Sequence, residues 1–190
     1  MKLKSSFAWL LPLTFSLLPS FALGQTSAGQ PQTVSVCDLL KDPKAFSGKN
    51  IQIRGTVISE FEVFAVDVGS CALPNAPGIW LMFGGDVDCP TPSTWNDVYR
   101  PKGKNVKFDG VEYPLVKDDG FRMFYKAVTK RKNEKSAHKV TATMEGTFFA
   151  GDVSGPQGQP IMPGYGHLGC CHLFIIHQIS QVDAQKKPTA

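Results

Sequence analysis

Five apolar stretches, with one helical stretch between the third and the fourth, limit what this chain can fold into. In the first, Ile51, Ile53, Gly55 and Val57 alternate with Gln52, Arg54 and Thr56. That is the period of a strand with one buried face. Glu60, Phe61 and Glu62 give a turn, and Val63 to Val68 reads as a second strand, closed by Asp67-Val68-Gly69-Ser70. Ile79 to Phe83 is apolar throughout and bounded by Pro77-Gly78 and Gly84-Gly85, a third strand. In the fourth, Val140, Ala142, Met144 and Gly146 alternate with Thr141, Thr143, Glu145 and Thr147; Leu173 to Val182 is the fifth. Between the third and fourth, Phe121, Phe124, Tyr125 and Val128 share one helical face, and Asp118 or Asp119 is placed to cap it. This phasing puts Ile53, Phe64, Leu81 and Met144 in the core.

The other segments carry turn chemistry. Val36 to Phe46 is a short helix or turn, punctuated by Asp42-Pro43 and Ser47-Gly48. Residues 86–119 are an insertion rich in Pro, Gly, Asp and Lys, with a hairpin over Val106 to Val116 turning at Asp109-Gly110. Residues 151–166 form a loop with five glycines and three prolines. Residues 25–35 read as a flexible leader and 184–190 as a tail, leaving one domain over 36–183.

Three strands, a helix and two strands is the plan of the OB-fold, a small partly open Greek-key barrel. The expected fold is therefore mainly β: a five-stranded OB-like barrel, with another small barrel or sandwich as the alternative. GKNIQIRGTV resembles the first strand of such domains, with Gly55 allowing a sharp coil. Through that segment, GIWLMFGG, KVTATMEGTF and GYGHLG, the chain is similar to uncharacterised secreted bacterial proteins of this plan. The resemblance implies a fold and an exported location; it implies no activity, because fold alone assigns none.

Residues 1–24 read as a cleavable signal peptide. Lys2 and Lys4 precede an apolar stretch from Phe7 to Leu18, and the small residues Ala22 and Gly24 suit a cut before Gln25, with a cut after Ala22, before Leu23, almost as good. The apolar run is too short and broken for a permanent span, and no later run is long enough. Cleavage leaves 166 residues, enough for one real core. It also lowers the formal net charge from +4 to +2, since both lysines leave and no acid goes with them. That is poor ground for a nucleic-acid partner. A periplasmic or secreted location is expected.

Five cysteines, Cys37, Cys71, Cys89, Cys170 and Cys171, lie beyond the signal. In an oxidising compartment they give two bridges and one remaining thiol. A bridge between the neighbours Cys170 and Cys171 strains the peptide between them, so each is expected to pair elsewhere or stay free. The expected pairs are Cys71–Cys89, and Cys37 with Cys170 or Cys171, which leaves the other of the two as the remaining thiol.

The densest chemistry lies in GYGHLGCCHLFIIH. His167, Cys170, Cys171, His172 and His177 are zinc- or copper-ligand types. Their spacing is irregular, no CxxC accompanies them, and strand alternation puts Cys171 and His177 on one face and Cys170 and His172 on the other. The GYGHLG loop has no GK[ST] after it and is read as glycines permitting positive φ. The basic stretch Lys126, Lys130, Arg131, Lys132, Lys135 and Lys139, opposed only by Glu134, is read as a solvated helix face. Its alternative is a nucleic-acid or glycan groove with stacking from Phe61, Phe64 and Trp80. The acids Glu60, Glu62, Asp118 and Asp119 read as surface and caps, and there is no GxSxG or HExxH.

The sequence thus points to an exported, non-catalytic OB-like binding or envelope-associated module without a cofactor. Its candidate ligand residues are Trp80, Lys130, Tyr165 and His167. Its partner is a small molecule, a glycan or an envelope protein; nucleic acid is not expected. The alternative is a metal-binding or thiol-redox protein centred on residues 165–177.

Overall fold

The computed structural model describes residues 30–60, 63–71, 73, 77–88, 105–129, 140–153 and 164–184. Residues 1–24, read as a signal peptide, Phe61, Glu62, Cys89, the basic residues of 130–139 and residues 185–190 of the expected tail lie outside them, whereas Ala184 ends a strand. The chain divides after Gln30, and the unit Pro31–Ala190 carries the fold.

Strand β1 (Gln32–Thr33) runs parallel to the start of β2 (Asn50–Glu60), pairing Gln32 with Ile51 and Thr33 with Gln52. This end of the expected leader is therefore tied to the sheet. Helix α1 (Val36–Lys41) begins at Ser35, whose Oγ accepts from the Asp38 amide at 3.0 Å. Helix α2 (Pro43–Phe46) follows, with Asp42 accepting from the Ala45 amide at 3.3 Å.

Five strands close a mixed barrel. β2 pairs antiparallel with β3 (Val63–Val66), and β3 antiparallel with β4 (Gly78–Phe83). β4 runs parallel to β8 (Cys171–Ala184), and β8 antiparallel to β7 (Val140–Phe149). β7 returns to β2 antiparallel, from Asn50↔Thr147 to Val57↔Val140. One long strand, β2, thus serves both neighbours. Gly55 sits where this works only without a side chain: a Cβ there would stand 2.9 Å from Val66 Cγ1. Register shifts between β7 and β8, at Thr141/Thr143 and Glu145/Gly146, bend the pair toward closure.

The expected phasing holds inside the barrel. Ile53, Phe64, Leu81 and Met144 are fully buried, with Ile51, Ile79, Phe83, Phe148, Phe174 and Ile176. Helix α3 (Asp119–Thr129) lies between the third and fourth barrel strands in the chain and adds Phe121, Phe124 and Val128 to the core. Phe83 is the hub: its ring centroid lies 5.2 Å from Phe64, 5.5 Å from Phe121 and 6.1 Å from Phe124. Asp118 is the cap residue, its Oδ1 accepting from the Phe121 amide at 3.0 Å. No helix among the described residues is long and apolar enough to cross a membrane.

The insertion does more than connect. β5 (Val106–Phe108) and β6 (Val111–Tyr113) form an antiparallel hairpin. Its turn residues Asp109 and Gly110 both have positive φ (49° and 76°), as a two-residue hairpin turn needs. Val106, Phe108 and Tyr113 pack in a second apolar layer, on the outside of the barrel.

Both expected disulfide pairings are corrected. Cys37 bonds Cys71, with Cα atoms 5.1 Å apart. Gly55 brings the ends together: Val36 and Val66 both approach it, so α1 lies beside the turn that follows β3. Cys37 does not reach the vicinal pair, because β7 intervenes between β2 and β8. Cys71 is thereby unavailable to Cys89. Cys170 bonds its neighbour Cys171, contrary to the expectation that adjacency disfavours it.

Candidate functional site

Strand alternation sorts the β3–β4–β8 wall into two faces. Phe64, Leu81, Phe83, Phe174 and Ile176 point into the barrel. Trp80, Met82, Cys171, Leu173 and Ile175 point outward, into the second layer. The register sets Trp80 between Ala65 of β3 and Leu173 of β8, and Cys171 opposite Gly78. Phe108, Tyr113, Phe149 and Tyr165 cover one part of this outer face.

Beside that cover lies a cleft of about 360 Å³, lined by Val63, Ala65, Trp80, His167, Leu168, Cys170 and Cys171. Its floor is the outer face of β3 and β4. Its rim is the segment 164–170, folded back on the start of β8. Tyr165 and Cys171 exchange both backbone hydrogen bonds (2.7 and 3.0 Å), and the Gly164 amide donates to the Gly169 carbonyl at 3.1 Å. Gly166 and Gly169 have φ of 77° and 69°, which accords with reading GYGHLG as a loop of positive-φ glycines. Leu168 sits at φ 58°, unusual for a residue with a branched side chain, and stands 46% exposed at the cleft.

The lining is apolar apart from His167 at the exposed rim. Trp80 is 3% exposed, and its indole Nε1 has no hydrogen-bond partner. The Cys170–Cys171 disulfide forms one wall. Sulfur and indole are both polarisable surfaces, suited to dispersion contact with a flat ring.

Of the four sequence-stated ligand candidates, Trp80 and His167 line the cleft. Tyr165 does not: it packs behind it, 5.7 Å from the Phe108 ring, and anchors the rim through its backbone. Lys130 lies outside the described residues. Phe64 is fully buried inside the barrel, so it offers no stacking surface. Val63, Ala65, Leu168 and the disulfide wall were not singled out from sequence. Alternation along β3 carried a signal that Val63 and Ala65 share the face opposite Phe64; nothing local carried one for the bridge.

The metal set is dispersed. His172 points into the barrel, where its ring meets Phe148 edge-on at 5.5 Å and Nδ1 accepts from the Gly151 amide at 3.0 Å. Its Nε2 is buried and has no partner, and burial pushes its pKa down. His177 stacks on Tyr113 at 5.7 Å, with Nε2 3.3 Å from Thr147 Oγ1; burial lowers its pKa too, against the opposing charge of Glu145. Cys170 and Cys171 are consumed by each other. Among the described residues no group of three or more His, Cys, Asp or Glu side chains is placed to hold a metal ion. The zinc or copper alternative is therefore left without an assembled ligand set among those residues.

The acids read as expected where they are described. Asp118 caps α3, and the Phe121 amide holds its carboxyl below the usual range. Asp119 pairs with Arg122 on the exposed helix face.

No protein-family model, curated protein or solved structure matches this chain.

Proposed function

We propose that this protein is an exported, OB-like binding module, non-catalytic, that takes a small ligand with an apolar face in the cleft over Trp80. The observation that carries the reading is that cleft: an apolar hollow of about 360 Å³ on the outer face of the barrel, with the buried Trp80 in its lining, beside the part of that face covered by the second layer. A strand face turned away from the core ordinarily carries polar side chains. Here Val63, Ala65 and Trp80 supply an apolar one, with Leu168 of the rim beside them.

Three further features support the wider reading. The strand order, with its parallel β4–β8 pair and the helix before the fourth barrel strand, accords with an OB-like plan. Two disulfides suit an oxidising compartment. The signal-like residues 1–24 point to the periplasm or the medium.

The test uses the full chain expressed in a bacterial host. Export predicts a processed protein beginning at Gln25 or Leu23, read by N-terminal sequencing of the periplasmic fraction; retention of Met1 in the cytoplasm refutes it. Oxidised protein is then titrated with the neutral aromatic dye N-phenyl-1-naphthylamine. Saturable binding is expected, and Val63→Trp, which fills the cleft, should weaken it at least about tenfold, roughly 1.4 kcal/mol. No saturable binding, or equal binding by the filled variant, removes the cleft as the site.

A further inference from the structure

We propose that the Cys170–Cys171 disulfide is a redox-controlled wall of this cleft: oxidised, it holds the cleft in shape for an aromatic ring, and a dithiol reductant releases that shape. This rests on the binding reading above and adds its ligand class and its regulation.

The ligand class follows from the lining. Val63, Ala65, Leu168, the Trp80 indole and two sulfurs present no carboxylate and no ammonium or guanidinium group, and the imidazole of His167 stands at the exposed rim. A charged or polyhydroxylated ligand would lose its hydration there and gain few partners. An aromatic ring loses nothing by that exchange. It meets the apolar side chains of Val63 and Leu168 and polarisable sulfur at Cys170 and Cys171, with the buried Trp80 beneath.

Regulation follows from where the bridge lies. Cys170 is the last residue of the rim, and Cys171 the first of β8. Linking their side chains closes a small ring around the peptide that joins rim to barrel, and so fixes the direction in which the rim leaves the strand. Leu168, two residues upstream, is held at φ 58°. A residue of its type keeps such a conformation only when its surroundings enforce it. The hydrogen bonds of Tyr165 with Cys171, and of Gly169 with Gly166 at 3.1 Å, enforce it from one side, and the disulfide from the other. Opening the ring removes one of these constraints. His167, Leu168 and Cys170 then become free to leave the positions that define the cleft.

The chemistry balances. A dithiol gives two electrons and two protons to the bridge. The S–S bond breaks, each sulfur becomes a thiol, and the dithiol closes to its own disulfide. Both cysteines line the cleft and Cys170 is only half-buried, so the bridge is within reach of a small reductant.

The experiment compares N-phenyl-1-naphthylamine binding by the oxidised exported protein, by the same protein reduced with dithiothreitol, and by Cys170→Ser/Cys171→Ser. Intact mass and thiol titration report the redox state, and circular dichroism the fold. Oxidised protein should bind, reduced protein at least about tenfold more weakly. The double variant should match the reduced protein and ignore dithiothreitol. Equal affinities before and after confirmed reduction overturn the redox control and leave the binding reading intact. A double variant that still responds to dithiothreitol assigns the effect to Cys37–Cys71 and also overturns it. Absence of binding by every form overturns the binding reading, and this proposal with it.

Discussion

Gly166 lies against the indole of Trp80 so closely that a Cβ at position 166 would stand 2.4 Å from Cε3 and 2.5 Å from Cδ2. Two demands meet at this residue. Its φ of 77° disfavours a side chain, and the ring excludes one. Gly166→Ala should therefore displace the rim from Trp80, cost about 1–3 kcal/mol in stability, and shift the tryptophan emission. Urea unfolding and emission spectra check it; an alanine variant with the parent midpoint and spectrum would show that the rim does not rest on the ring.

The barrel core makes a second prediction. Phe64 is fully buried and touches both Phe83 and Phe124. Phe64→Ala should cost about 3–5 kcal/mol, the usual toll of a large cavity. The same change at the exposed Met123, on the outer side of α3, should be close to neutral. Chemical unfolding of the two variants separates them.

A third concerns the start of α3. Asp118 accepts from the Phe121 amide, so Asp118→Ala should destabilise the protein by about 0.5–2 kcal/mol, and Asp118→Asn by less. Equal losses in the two variants would move the effect from the cap hydrogen bond to the charge.

The Cys37–Cys71 bridge closes a loop with a sequence separation of 34. Replacing both cysteines with Ser should cost about 2–4 kcal/mol, through loss of the constraint on the unfolded chain. Peptide mapping under non-reducing conditions should recover Cys37 joined to Cys71, and Cys170 and Cys171 together in one peptide that loses two hydrogens relative to its reduced form.

The buried His172 sets a pH dependence. Burial lowers its folded pKa below the ordinary 6.5, so between the two values the unfolded chain binds more protons than the folded one. Its contribution to stability is thus complete above about pH 6.5 and is lost as pH falls through that range, levelling off below the folded pKa. His177 adds in the same direction. Urea midpoints measured from neutral pH downward should fall, and His172→Gln should flatten the slope while lowering the plateau. An unchanged slope would place the titration elsewhere.

Side-chain period alone was enough to determine which residues face the core. Ile53 and Met144 follow from alternation, and Phe121, Phe124 and Val128 from helical spacing, because burying one face of each element is a local demand on the sequence. The Asp109-Gly110 turn and the Asp118 cap were legible for the same reason: their chemistry is satisfied within three or four residues. Only the tertiary structure decided what the elements do to one another. Cys37 meets Cys71 because β2 crosses between two neighbours at Gly55, and it misses Cys171 because β7 closes the barrel in between. Trp80 becomes a cleft wall only when the 164–170 rim folds back and the inserted hairpin covers the surface next to it. Such contacts join residues far apart in the chain, and their geometry depends on strand order, register and coil, which no local pattern encodes. The bond between Cys170 and Cys171 joins neighbours in the chain, yet it too was decided by the structure, where the two sulfurs meet as the rim passes into β8.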